Sequence, residues 1–188
     1  MTMQSRRQRN FHRQVSPWLA RLLGAARRQA GGAAAEDWLQ ETLLRAWRDF
    51  DQLEKEQAVY AWLLKILDRV IAEDIRRESR RCRLAPVVNA DDGFFESCPG
   101  AEPGPFAETV KSQTESQINE AIESLADEYR KVVTLRDIEE LSYREIAYVL
   151  DLPQGTVMSR LSRGRRLLAQ RLIKLEMHDD DVQLSRNE

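Results

Sequence analysis

The side chains best suited to chemistry in this 188-residue chain are the cations between Leu152 and Leu175: Arg160, Arg163, Arg165, Arg166, Arg171 and Lys174, with no acid among them. Guanidinium groups present fixed donors that match phosphate oxygens and the major-groove edge of guanine. A stretch without carboxylates cannot satisfy those donors by pairing within itself, so the expected partner is phosphate. The bland alternative is a solvated charged face on an ordinary bundle helix, and the segregation of charge argues against it. Val157, Leu161, Leu168 and Leu172 recur at helical spacing as one apolar stripe, with Gly164 permitting close approach along it. Thr156, Ser159, Arg160, Arg163 and Arg166 are left outside that stripe.

Something must hold this helix against a duplex, and the residues before it supply the means. Ser142 followed by Glu145 reads as a capping box, and Ile146, Ala147, Val149 and Leu150 suit a short helix buried on one side. Asp151, Leu152 and Pro153 stop it, because Asp tolerates a left-handed backbone and Pro is pre-set for the first turn of a new helix. Two helices joined by so short a turn make a helix-turn-helix, here from Leu141 to Leu168.

Ser124 to Leu168, SLADEYRKVVTLRDIEELSYREIAYVLDLPQGTVMSRLSRGRRLL, resembles the fourth conserved region of the small extracytoplasmic-function sigma factors of bacterial RNA polymerase. GTV-x-SRL-x-R is among the most specific stretches of that group. The resemblance implies that Thr156, Met158, Ser159, Ser162 and Arg163 reach bases of a minus-thirty-five element. Arg160 and Arg166 would hold phosphates.

The N-terminal half carries a second match. Phe11, Val15, Trp18, Leu19, Leu22 and Leu23 predict one core helix from Phe11 to Ala30 with an arginine-rich outer face, closed by Gly31 and Gly32. Ala35 to Phe50 predicts an amphipathic helix buried through Trp38, Leu39, Thr42, Leu43, Ala46, Trp47 and Phe50. Asp37, Gln40, Glu41 and Leu44 share its other face, where a leucine framed by acids and an amide suits either a docking surface or a solvated face. AED-x-x-QE-x-x-LRAW is similar to the sigma-factor segment that grips the clamp helices of the polymerase β′ subunit, which assigns Asp37, Gln40, Glu41 and Leu44 to core binding.

A polar, acidic loop with Asp51, Glu54 and Glu56 follows, and in that family the equivalent loop captures a flipped base. Then comes a long helix from about Val59 to Arg81. Trp62, Leu63, Ile66, Leu67, Val70, Ile71 and Ile75 are expected on its buried side and Lys65, Arg69, Arg76 and Arg80 on the other. It ends in RRESRRCR, five arginines to one glutamate. By resemblance this is the minus-ten helix, with Trp62, Lys65, Arg69, Arg76, Arg77 and Arg80 as DNA contacts. Arg69 and Glu73 depart from the family's usual asparagine and aspartate, so its base preference does not transfer.

From Leu84 to about Ser112 four prolines, many acids and no apolar period mark a linker. Ile118, Ile122, Leu125, Tyr129, Val132, Val133, Leu135 and Ile138 then supply two further helices, and the polar tail from Glu176 is expected to fray. The fold expected is all-α: two small helical domains, sigma region 2 at residues 10–82 and sigma region 4 at 115–175, joined by a flexible acidic linker at 83–114 and followed by an acidic tail at 176–188.

Charge distribution agrees with this organisation although the formal net charge is only −2. Residues 1–35 hold seven arginines and no acid, whereas residues 84–128 hold ten acids against one lysine. No glycine-rich phosphate loop, HExxH motif or nucleophile beside a base is present, and Cys82 and Cys98 lack metal or disulfide spacing. No catalytic residue, metal, cofactor or small-molecule substrate is therefore expected. The arginine-rich start is not followed by an apolar run of signal-peptide length and no transmembrane segment occurs, which places the chain in the cytoplasm. The implied partners are core RNA polymerase (the β′ clamp helices and the β subunit), promoter DNA, and an anti-sigma factor, often membrane-anchored in that family. Two other classes fit part of the pattern: a free-standing helix-turn-helix regulator, and a partner mimic that binds no DNA.

Overall fold

A computed structural model of the chain describes residues 3–30, 34–53, 59–84 and 110–186. Every regular element among them is helical, and the chain divides into two compact units, Met1–Gly104 and Pro105–Glu188. Among the described residues no helix is long and apolar enough to cross a membrane.

The first unit is built from α1 (Met3–Val15), α2 (Leu19–Ala30), α3 (Ala35–Asp49) and α4 (Val59–Leu84). The single helix expected from Phe11 to Ala30 is instead two. Apolar period runs unbroken through this stretch, but Pro17 has no N–H to continue the ladder, and Ser16–Trp18 form a 3₁₀ turn between α1 and α2. Gly31 and Gly32, expected to close the segment, lie outside the described residues. The core is formed by Val15, Leu22, Ala26, Trp38, Thr42, Ala46 and Phe50 against Val59, Leu63, Leu67, Val70 and Ile71, all buried. Rings fix the angles between helices. Phe11 meets Trp47 and Phe50 edge-on at 5.1 Å each, and Trp18 stacks on Tyr60 at 4.9 Å.

α4 reaches Leu84, slightly beyond the expected end. Ile75 was expected in the core and is 57 % exposed. The apolar period of α4 extends past Ile71, the last buried residue of this unit among the described residues, so Ile75 keeps its helical register while lying exposed.

The second unit contains α5 (Val110–Glu123), α6 (Asp127–Val133), α7 (Tyr143–Leu150) and α8 (Gln154–Arg186). Ile122, Leu125, Val132, Val133, Leu135, Ile146, Val149, Val157 and Leu161 are buried in its core, whereas Ile118 is 39 % exposed and Leu168 and Leu172 are half-buried. α6 runs into a π turn, Thr134–Ile138, and the chain reverses through Glu140 at φ 54°. A side chain at Gly164 would put its Cβ 2.8 Å from Val133 Cγ2 and 3.3 Å from Tyr129, so α6 and α8 approach closely only because residue 164 is glycine. α8 continues through residues 176–186, where a frayed tail was expected. The expected linker 83–114 overlaps the ends of α4 and α5, and its residues 85–109 lie outside the described residues.

Candidate nucleic-acid and polymerase interfaces

The turn between α7 and α8 follows from local chemistry. Ser142 Oγ accepts from the Glu145 N–H at 3.3 Å while the Glu145 carboxylate accepts from the Ser142 N–H at 2.8 Å, closing the capping box. Asp151 ends α7 in the left-handed region at φ 51°, and its N–H and that of Leu152 both return to the Ala147 carbonyl. The Pro153 carbonyl accepts from Thr156 and Val157, opening α8 immediately. A Cβ at Gly155 would meet nothing within 4 Å, so packing within the protein does not require a glycine there.

Met158, Ser159, Ser162, Arg163 and Arg166 are exposed along α8, and Thr156 is half-buried. Met158 is 55 % exposed, a large apolar side chain turned outward. Ser159 donates its hydroxyl back to the Thr156 carbonyl at 3.0 Å.

Carboxylates from outside α8 answer part of its charge. Arg160 pairs with Glu128 of α6 at 3.1 Å, and Arg165 makes a two-pronged contact with Asp137 of the π turn, its Nε 3.1 Å from Oδ2. Asp137 also holds the Arg165 guanidinium more firmly protonated than usual through that hydrogen bond. The inference that every cation here must seek phosphate therefore fails for these two. Arg163, Arg166 and Arg171 have no carboxylate partner among the described residues.

In the first unit α3 presents Asp37 and Gln40 exposed, Leu44 at 65 % exposure, and Glu41 half-buried. Glu41 is less exposed because Arg45, one turn later, donates Nε to it at 2.7 Å. The other arm of Arg45 reaches Glu73 of α4 at 2.8 Å. These contacts, Glu73 first and then Glu41, raise the Arg45 pKa, and the bond from Arg45 holds Glu73 below its ordinary value. Trp38 adds a second tie between the same helices, donating Nε1 to Asp74 at 2.9 Å.

On α4, Arg69, Arg76, Arg77 and Arg80 are exposed and Lys65 is half-buried. Trp62 is different. At 9 % exposure its ring belongs to the core, which leaves little of its surface open to a base. Its burial agrees with the apolar period of α4. Ile75 lies among Arg76, Ser79, Arg80 and Arg83 on an open groove of α4. The loop carrying Glu54 and Glu56 lies outside the described residues. Among the described residues no group of three or more histidine, cysteine, aspartate or glutamate side chains could hold a metal ion.

Sequence reasoning missed two positioning residues. Arg45 is one. Arg7 is the other: its Nη2 donates to the Trp47 and Arg48 carbonyls at 2.8 and 3.2 Å and lies 3.2 Å from Asp51 Oδ2, while the guanidinium sits 4.7 Å over the Trp47 ring. It caps the carbonyl end of α3 from a different helix. One arginine of an arginine-rich start, 40 positions upstream of Trp47, gave no periodic signal of this.

The family model for sigma-70 region 2 matches residues 11–81 and that for sigma-70 region 4 matches residues 115–168. The chain is 30 % identical over 136 residues to RNA polymerase sigma-H factor of Pseudomonas aeruginosa, covering 71 % of this chain and 70 % of that one. It is 31 % identical over 140 residues to ECF RNA polymerase sigma factor SigW of Bacillus subtilis, covering 73 % and 75 %. The chain belongs to the extracytoplasmic-function sigma factors. A solved relative is the sigma factor RpoE of Bartonella quintana in complex with the anti-sigma factor NepR, at TM-score 0.67 and 26 % identity, covering 88 % of this sigma factor and 97 % of that chain. As an alternative sigma factor the protein binds core RNA polymerase and directs promoter-specific transcription initiation. Its two family regions correspond to the two helical units.

Proposed function

We propose that this sigma factor divides its work among three faces. Asp37, Gln40, Glu41 and Leu44 of α3 dock on core polymerase. Arg69, Arg76, Arg77 and Arg80 of α4, with Lys65 beside them, hold the minus-ten element, while Thr156, Met158, Ser159, Ser162, Arg163 and Arg166 of α8 meet the minus-thirty-five element. The observation that carries this reading is the sorting of charge by pairing: Arg45, Arg160 and Arg165 are committed to carboxylates within the fold. Arg163 and Arg166 stay exposed, with no such partner among the described residues. Arg160 is assigned to positioning α8 against α6, ahead of any contact with phosphate.

The protein acts in the cytoplasm, where its polymerase is, and is restrained there by an anti-sigma factor. The support for that partner is the likeness to the Bartonella sigma factor solved with NepR. Affinity purification of tagged protein from unstressed cells should recover polymerase together with a second, smaller partner. Recovery of polymerase alone would count against the restraint. The promoter assignment is tested by reconstituting the chain with core polymerase and mapping run-off transcripts. Initiation from a two-part, non-palindromic site is expected, and binding to a palindrome as a dimer without polymerase would overturn it.

A further inference from the structure

α1 starts at Met3, ahead of residue 11 where the region 2 match begins, and carries no acid. With Phe50 and Asp51 it forms an open groove of about 1140 Å³ lined also by Arg6, Arg9, Asn10 and Arg13. Arg6 and Arg13 lie two helical turns apart on one side of α1, both exposed. Asp51, the one carboxylate among the described residues that line the groove, is engaged by Arg7, which also anchors α1 to the end of α3. Arg13 donates to the neutral Asn10 side chain at 3.0 Å. The groove is therefore cationic, held in place by Arg7, and continuous with the residue that opens the loop between α3 and α4.

We propose that this groove binds the sugar-phosphate backbone of single-stranded promoter DNA beside the minus-ten element, a site outside the three faces above. It rests on the reading that α4 holds the minus-ten element. At about 1.5 Å per residue, Arg6 and Arg13 are separated by about 10 Å along the axis. The two guanidinium groups can therefore reach separate phosphates on one short stretch of an extended strand. Contacts of this kind, made to phosphates, carry affinity without sequence.

The test uses holoenzyme reconstituted from the full chain and a pre-melted promoter fragment, with and without uncharged methylphosphonate linkages at the three non-template phosphates flanking the minus-ten element. The double variant Arg6→Gln, Arg13→Gln should bind the charged fragment roughly tenfold more weakly at about 0.1 M salt, with a salt slope smaller by about 1.4, the value for two contacts to a single strand. It should be indifferent to the uncharged linkages, which weaken the wild type. Arg6→Lys with Arg13→Lys should retain most of the binding, and pull-down of core polymerase should be unchanged in both variants. Wild-type affinity and salt slope in the glutamine variant would overturn the proposal. So would lost polymerase or anti-sigma binding with DNA affinity intact, which would make the groove a protein-docking surface. Failure of the underlying minus-ten reading shows separately, as wild-type binding unmoved when Arg76, Arg77 and Arg80 are replaced.

Discussion

Arg45 Nη2 lies 2.8 Å from Glu73 Oε2, tying α3 to α4 beside the face proposed to dock on polymerase. The same guanidinium holds Glu41, so one side chain fixes both the angle between two helices and the rotamer of a contacting acid. Both contacts are partly exposed, and a double-mutant cycle between Arg45→Ala and Glu73→Ala should return a coupling of about 0.5–1 kcal/mol in denaturant unfolding. Arg45→Lys should recover little of it, because an ammonium lacks the fork that spans two carboxylates.

The same pair gives a pH dependence. The hydrogen bond from Arg45 holds the Glu73 carboxyl below its ordinary value. A carboxylate depressed in the native state stabilises fully above its unfolded value, about 4.3, and that contribution is lost as pH falls through the native value. The melting temperature of the wild type should therefore fall more steeply below about pH 5 than that of Glu73→Gln. Parallel profiles would show the pair to be without consequence.

Asp37 and Gln40 are exposed on α3 and support no core contact. Asp37→Arg with Gln40→Ala should weaken capture of core polymerase by about tenfold, on the order of 1.4 kcal/mol, with circular dichroism unchanged. Undiminished capture would remove this face from the proposal.

Two glycines of α8 should respond oppositely to alanine. At Gly164 the new methyl would stand 2.8 Å from Val133 Cγ2, and Gly164→Ala should destabilise the second unit by about 1–3 kcal/mol. At Gly155 nothing lies within 4 Å, so Gly155→Ala should be neutral or stabilise by up to about 1 kcal/mol. If α8 enters DNA by its first turns, the same Gly155→Ala should weaken promoter binding despite the firmer fold. Thermal melts and promoter affinity measured on both variants separate the two effects.

Arg163 and Arg166 are both exposed, but only the first stands among the side chains proposed to reach bases. Arg163→Ala should relax selectivity at one base pair of the minus-thirty-five element, by about 1–3 kcal/mol. Arg166→Ala should weaken all sequences alike and reduce the salt slope by about one ion. A panel of minus-thirty-five mutants transcribed with each variant decides it, and uniform loss for Arg163→Ala would make that residue a phosphate contact. Arg160→Ala should lower stability more than affinity, since its guanidinium is held by Glu128.

What could be read directly from the residues was whatever short-range chemistry settles. The Ser142 and Glu145 cap, the left-handed Asp151 and the α8 start after Pro153 depend on groups within a few positions of one another, so their order in the chain is their order in space. The exposed face of α3 was legible for the same reason, because 3.6-residue periodicity sorts Asp37, Gln40 and Leu44 from Trp38, Thr42 and Ala46 before any partner is known. Pairing across helices was not legible. Arg160 meets Glu128, Arg165 meets Asp137 and Arg7 meets Asp51 only once packing brings their helices together. Periodicity also assigns a buried face without saying where the neighbouring helices end. That is why Ile75 keeps the register of the core yet lies in the open, while Trp62, in the first turn of the same helix, is enclosed. Tertiary packing thus decided which arginines are spent inside the fold and which remain to meet DNA, because an ion pair depends on distance in space and the chain records only distance in sequence.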